Sequence, residues 1–224
     1  MTAPAPLPVV VLISGSGSNL QALIDGAQLD LPIRIRAVIS NEPDAFGLER
    51  ARRAGIQTRV LSHRDFPSRE AYDTALGSLI GKFEPKLVVL AGFMRILTPE
   101  LVAEYRGRML NIHPSLLPKF RGLHTHQRAL EAGETVHGAS VHFVTEKLDG
   151  GPLVLQARVP VEPGDDPDRL AARVLDREHR IYPQVVRWIA QGRLRLDANG
   201  RPRLDGRVLD QPLQLEELTP EQIR

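Results

Sequence analysis

The chain predicts an α/β fold, a parallel sheet covered by helices on both faces. Three observations point there. Apolar β-branched runs alternate with helical stretches over about the first hundred residues. The runs Val9–Ile13 and Leu87–Leu90 are continuously apolar, as strands buried on both faces must be. Turn or capping residues stand at each change of period.

Val9–Ile13 reads as the first strand, followed by Ser14-Gly15-Ser16-Gly17-Ser18-Asn19 and a helix from about Leu20 to Gly26. Ile33–Ser40 is the second strand. Phe46–Ala54 makes a short helix, with Gly55 placed to close it. Ile56–Leu61 is a third strand, and Ser68 can cap a helix running to about Gly81. Leu87–Leu90 is the fourth strand; Thr98-Pro99 then opens a helix with a capping residue and a first-turn proline. A strand from Gly107 ends at Asn111-Ile112-His113. Gly138–Val144 and Leu153–Val159 are strands joined through the tight turn Asp149-Gly150-Gly151-Pro152. Asp165-Asp166-Pro167 starts a helix with Leu170, Val174, Ile181, Val185 and Trp188 near one face. Residues 194–224 read as a small hairpin about Asn199-Gly200 and a tail, and the proline-rich residues 1–8 as a disordered extension.

A length of 224 residues fits one large domain or one with a small appendage. Basic and acidic residues nearly balance, 29 against 27, and the arginines are spread out, so no basic stripe argues for nucleic acid. With no cysteine there is no disulfide framework, thiolate zinc site or cysteine nucleophile. No basic residue precedes Arg34, unlike the front of a secretory signal, and VVVLI is too short to cross a bilayer. A cytoplasmic protein without membrane contact is expected.

Three segments carry chemistry. GSGSN follows a buried strand and opens a helix, where backbone N–H groups and the helix dipole favour an anion. Leu20 occupies the third glycine position of a dinucleotide fingerprint, and no Gly-Lys-Ser/Thr follows, so neither that motif nor a P-loop is present. A small-residue turn is the plainer alternative, and phosphate binding the preferred reading. In the second segment, strand alternation puts Asn111 and His113 on one side with Ile112 toward the core. There an amide and an imidazole could together stabilise an oxyanion. His113 could instead satisfy a backbone carbonyl, and His124-Thr125-His126 could be a metal pair, although no accompanying ligand signature supports it. In the third, Asp149 either makes the ordinary hydrogen bond of a turn aspartate or orients His113, if the turn meets that strand.

SGSGSNLQALID, AVISNEPDAFGLERARRAGI, VVLAGFMRIL, NIHPSLLPKFRGLHTH and HGASVHFVTEKLDGGPLVLQ together resemble the phosphoribosylglycinamide formyltransferases, the folate-dependent transformylases of purine synthesis. The resemblance runs from about Val9 to Arg193. It implies a seven-stranded, mostly parallel Rossmann-like formyltransferase fold, its catalytic domain spanning 9–193. The nucleotide half would occupy about 9–100 and the folate half about 101–193. It implies transfer of a formyl group from 10-formyltetrahydrofolate to the amine of glycinamide ribonucleotide, with no metal, by a monomer or homodimer. By the same resemblance Asn111, His113 and Asp149 are catalytic. Gly17, Ser18 and Asn19 hold the phosphate and Glu178 the ribose. Arg69 and Met94-Arg95-Ile96-Leu97 hold the folate, joined by Asn111 and by the loop Thr145-Glu146-Lys147-Leu148-Asp149 that closes over the pteridine.

Two relatives share these elements. Methionyl-tRNA formyltransferase implies a further C-terminal domain and a basic surface, and formyltetrahydrofolate deformylase an N-terminal regulatory domain. A nucleotide-binding module without catalysis would use GSGSN but gives no reason for Asn111, His113 and Asp149 together.

Overall fold

Four β-branched residues, Val9, Val10, Val11 and Ile13, dominate the chain's first strand, β1 (Leu7–Ile13), in a computed structural model that describes residues 5–223. Contacts divide the chain into two compact units, with the boundary between Asn111 and Ile112.

In the first unit, β1 is followed by α1 (Ser18–Leu29), β2 (Ile33–Ser40), α2 (Phe46–Arg53), β3 (Thr58–Val60), α3 (Arg69–Gly81), β4 (Leu87–Leu90), α4 (Pro99–Glu104) and β5 (Met109–His113). The strand order is β5-β4-β1-β2-β3, and every pairing is parallel. Val9–Ile13 and Leu87–Leu90 are buried along their whole length, which requires cover on both faces of these central strands. α1 and α2 pack on each other and on β2, while α3 packs with α4. Capping follows the sequence signals. Ser68 accepts from Ala71 N at 3.1 Å and Thr98 from Leu101 N at 3.4 Å, and Gly55 follows α2 with φ 69°.

The second unit holds α5 (Thr125–Glu131), β6 (Val136–Phe143), β7 (Leu153–Pro160), α6 (Pro167–Ala190), β8 (Leu194–Leu196), β9 (Pro202–Leu204), β10 (Arg207–Val208), β11 (Leu213–Gln214) and α7 (Pro220–Ile223). β6 and β7 are antiparallel, and β11 lies parallel to β7 on its other side. α6 starts where expected, with Asp166 accepting from Arg169 N at 2.8 Å, and packs on β6 and β7. Pro183 sits inside it and cannot donate to the helical ladder, at a cost of about 3 kcal/mol. Burial of Ile181, Tyr182, Val185, Val186 and Trp188 offsets that cost, at about 1.5–3 kcal/mol for each large apolar side chain.

Several boundaries differ from expectation. α1 begins at Ser18 and runs beyond Gly26 to Leu29, because Leu31 closes over Gly26 and both Asp30 N and Leu31 N donate to its carbonyl. β3 is only Thr58–Val60, since Ile56 N still donates to Ala51 O in the closing turn of α2. The expected extension ends earlier: Leu7 and Pro8 are already paired with Ile33 and Arg34, while residues 1–4 lie outside the described residues. The larger sheet has eight strands where seven were implied. The C-terminal hairpin is a three-stranded antiparallel sheet, β10-β9-β8, and the tail beyond it supplies β11. That last pairing is two residues long, too short for any periodicity to announce.

The C-terminal segment is also fastened to α6. Trp188 Nε1 donates to Gln222 O at 2.6 Å and Arg193 donates to Glu221 O at 3.0 Å. Trp188→Phe keeps the buried ring but loses one neutral hydrogen bond, so unfolding in urea should show a loss of about 1 kcal/mol. Proteolysis after residue 215 should accelerate at the same time; an unchanged cleavage rate would remove this bond from the docking of the tail.

Candidate active site

Where β1 ends, Ser14 begins a loop whose shape depends on two glycines. Gly17 has φ 70°, and a Cβ there would lie 2.5 Å from Gly47 Cα. A Cβ on Gly47 would in turn lie 2.5 Å from Ile13 Cδ1. The loop and α2 therefore touch backbone to backbone, sealed by Gly47 N donating to Gly15 O at 3.0 Å and Arg50 Nε to Ser16 O at 2.9 Å. No side chain caps α1, so its first turn faces a pocket of about 240 Å³ lined by Ser14–Asn19, Ala91, Gly92 and Met94. This is the geometry of an anion site at a helix N-terminus.

Ser14 joins that loop to the segment after β4. Its N–H donates to Gly92 O at 3.0 Å, and its hydroxyl accepts from Met94 N at 2.8 Å while donating to Asn41 Oδ1 at 2.5 Å. From Phe93 to Leu97 the chain is neither helix nor strand. Phe93 and Leu97 are buried, whereas Met94 and Ile96 stand 67% and 53% exposed, so the ribbon is anchored at its ends and open between them. Asp73 of α3 secures the far end by accepting from Thr98 N at 2.5 Å. Burial raises the Asp73 carboxyl above its usual range, against the pull of Thr98 and of nearby Arg69 and Arg95. Arg69 opens α3, partly exposed, with Nε 3.7 Å from Glu70 Oε1.

β5 delivers Asn111 and His113 two residues apart on one strand, Asn111 partly exposed and His113 buried. Asp149, at φ 45° in the turn after β6, places Oδ2 3.5 Å from His113 Nδ1, an ion-pair distance rather than a short hydrogen bond. Gly122 N donates to the same oxygen at 2.9 Å. Gly151 makes this turn possible, since a Cβ there would collide with the Phe143 carbonyl. The turn does meet the His113 strand, the condition on which the orienting role of Asp149 depended.

Three partners were not legible beforehand. Phe120, itself at φ 52°, takes a hydrogen bond from His113 Nε2 at 2.9 Å through its carbonyl. An oxygen acceptor thus stands beside each ring nitrogen of His113. His142 lies on the other side of the carboxylate, with Nε2 3.8 Å from Asp149 Oδ1 and Nδ1 donating to Phe143 O at 2.9 Å. Burial pushes the His142 imidazole down, against the pull of its bond to Phe143 O and of Asp149. Its position two residues after Ser140 on one strand was the available signal. Gly122, the third, contributes only a main-chain N–H.

The other expected residues are spread more widely. Glu146, Lys147 and Leu148 are exposed in the turn leading to Asp149, where Thr145 Oγ1 donates to Lys147 O at 3.4 Å. Glu178 is buried in α6 among its apolar face. His124 is exposed at the start of α5, whereas His126 Nδ1 lies 3.2 Å from His137 Nε2. Among the described residues, no group of three His, Cys, Asp or Glu side chains could hold a metal ion.

The His126–His137 pair has a consequence for pH. Burial, then the neighbouring His126, holds His137 down to about 4; burial also lowers His126. An unfolded histidine titrates near 6.5. Between these values the unfolded chain binds more protons, so stability is lost as pH falls from about 6.5 towards 4. His137→Gln should flatten that loss relative to the parent chain, read from urea midpoints at pH 7, 6 and 5. Parallel curves would exclude His137 as a contributor.

Comparison with known proteins identifies the family. The family model described as "Formyl transferase" matches residues 7–186. The chain is similar to phosphoribosylglycinamide formyltransferase of Escherichia coli (strain K12), 58% identical over 202 residues that cover 90% of this chain and 95% of that protein. Among solved structures it is similar to the enzyme of that name from Coxiella burnetii, with a TM-score of 0.89, 54% identity and coverage of 93% of this chain and 99% of that one. Glycinamide ribonucleotide transformylase 1 from Symbiobacterium toebii gives 0.87 at 46% identity, covering 90% and 95%. With the fold, the buried histidine–aspartate pair and these similarities in agreement, the chain belongs to the formyl transferase family as a phosphoribosylglycinamide formyltransferase.

Proposed function

We propose that Asn111, His113 and Asp149 are the groups with which this formyltransferase moves the formyl group of 10-formyltetrahydrofolate onto the amine of glycinamide ribonucleotide. The observation that carries the reading is the buried pair of His113 and Asp149, 3.5 Å apart at the end of the strand that also presents Asn111. The neutral amine attacks the formyl carbon and a carbon–nitrogen bond forms, leaving the former carbonyl oxygen as an oxyanion. Asn111 Nδ2–H and a ring N–H of His113 donate to that oxygen. The Nε2 hydrogen is the one that now faces Phe120 O, so substrate oxygen and carbonyl compete for it. Asp149 holds the imidazole in place and balances its charge. The amine loses a proton to solvent, N10 of the folate gains one, and the bond from the formyl carbon to N10 breaks.

On this reading the nucleotide half takes the phosphate at Gly17, Ser18 and Asn19 and the folate half carries the transfer, while Glu178 holds the ribose. The folate lies along the open main chain of Met94, Arg95, Ile96 and Leu97, with its glutamate reaching Arg69. The turn Thr145, Glu146, Lys147, Leu148 and Asp149 closes over the pteridine. The exposed, end-anchored ribbon supports main-chain recognition there.

Loss of one oxyanion donor costs about 10²–10³ in rate. His113→Ala and Asp149→Ala should each fall at least that far, and the double variant should lose much less than the product of the two. Full additivity in kcat would separate Asp149 from His113 and refute the pairing. At the phosphate loop, Gly17→Val pushes a side chain into Gly47, so calorimetric titration should find nucleotide binding weakened far more than folate binding. Equal losses for the two ligands would count against the assignment.

A further inference from the structure

We infer that Ser140 and Gln156, backed by Gln214 of the C-terminal strand, are positioning residues that hold the bend after His113 in its catalytic shape. The inference rests on the catalytic assignment of His113 made above. The bend from Pro114 to Phe120 is not a free surface loop: Ser115 is wholly buried and Leu117 is 4% exposed. Backbone groups buried in this way need partners.

β6 and β7 supply them. Ser140 and Gln156 face each other in the β6–β7 register, and Gln214 is the partner of Gln156 in the β11–β7 register. One row of polar side chains therefore crosses three neighbouring strands inside the core. Ser140 Oγ donates to Ser115 O at 2.6 Å and accepts from Leu117 N at 3.1 Å. Gln156 Nε2 donates both to Leu117 O at 2.9 Å and to Ser140 Oγ at 2.9 Å. Gln214 Nε2 then donates to Gln156 Oε1 at 3.3 Å. A row serving only stability needs no polar members, whereas a hydrogen-bonded buried network selects one backbone arrangement; in this row Gln214 Oε1 is left without a partner among the described residues.

The arrangement selected is the one that frames His113. Ser115 N donates to His113 O at 2.9 Å, and Ser115 Oγ donates to Lys119 O at 2.6 Å. The next residue, Phe120, accepts from His113 Nε2. Both ends of the bend thus touch His113, and the row fastens its middle. A displacement of about 1 Å at a reacting group costs roughly 10²-fold in rate.

The test compares Ser140→Ala, Ser140→Thr, Gln214→Leu and His113→Ala in the full chain. Each is measured for melting temperature, for nucleotide binding sites per chain by calorimetry, and for kcat and both KM values over pH. Ser140→Ala should lower kcat per nucleotide-binding site by roughly 10- to 100-fold, with both KM values within about twofold, and should displace the pH–kcat profile. Ser140→Thr keeps the hydroxyl and should restore most of the rate. Gln214→Leu cuts only the outer link and should show a smaller loss of the same kind, which carries the test if Ser140→Ala does not fold. Parent kcat per site and an unmoved pH profile, with only the melting temperature lowered, would reduce the row to a structural role. That result beside an inactive His113→Ala sinks this inference alone; an active His113→Ala sinks the catalytic assignment and this inference with it.

Discussion

A parallel strand buried on both faces can offer polar groups only where it stops, and this constraint arranges the rest of the molecule. Along Val9–Ile13 and Leu87–Leu90 every side chain is occupied in excluding water, so neither strand can carry a functional group in its length. Chemistry is displaced to the residues immediately following. Ser14 begins the glycine loop, Ala91–Met94 continue from β4, and Asn111 and His113 are the last polar positions of β5. Each of these groups stands at the carboxyl edge of its own strand, where open α/β sheets offer their polar positions.

Placing polar groups at such an edge strains the backbone that carries them. Phe120 and Asp149, which supply the two acceptors facing His113, both have positive φ, a conformation uncommon for non-glycine residues and most unusual for phenylalanine. His113 keeps its position because every neighbour of its ring is fastened in turn. Gly122 N holds the Asp149 carboxylate, while Arg128 donates to the Arg121 and Leu123 carbonyls on either side of that glycine. Burial lowers His142 and so disfavours a second positive charge beside the carboxylate.

Local patterns revealed most elements because their signals are local. The β-branched runs, the caps at Ser68, Thr98 and Asp166, and the face of α6 are each written in neighbouring residues. The pairing of Asn111 with His113 was legible for the same reason, a strand period of two. Asp149 was readable as a turn residue, yet only the family resemblance tied it to His113, because that contact joins segments far apart in sequence. The carbonyl of Phe120 and the N–H of Gly122 were invisible in principle, since main-chain atoms are the same in every residue. β11 escaped because two residues carry no period, and its partner Gln156 shows no sign in the sequence of being a polar residue in a core.

The contact between Gly17 and Gly47 makes the glycine loop a poor transplant. GSGSN looks like a self-contained cassette, a strand end, two glycines and a helix start. Its curvature, however, is moulded against the backbone of α2 some thirty residues later, and Gly47 is in turn limited by Ile13 beneath it. A host scaffold given the five residues alone would lack the surface that shapes them. Conversely, within this chain positions 13, 17 and 47 are coupled by contact: a larger residue at any of them requires its neighbours to yield.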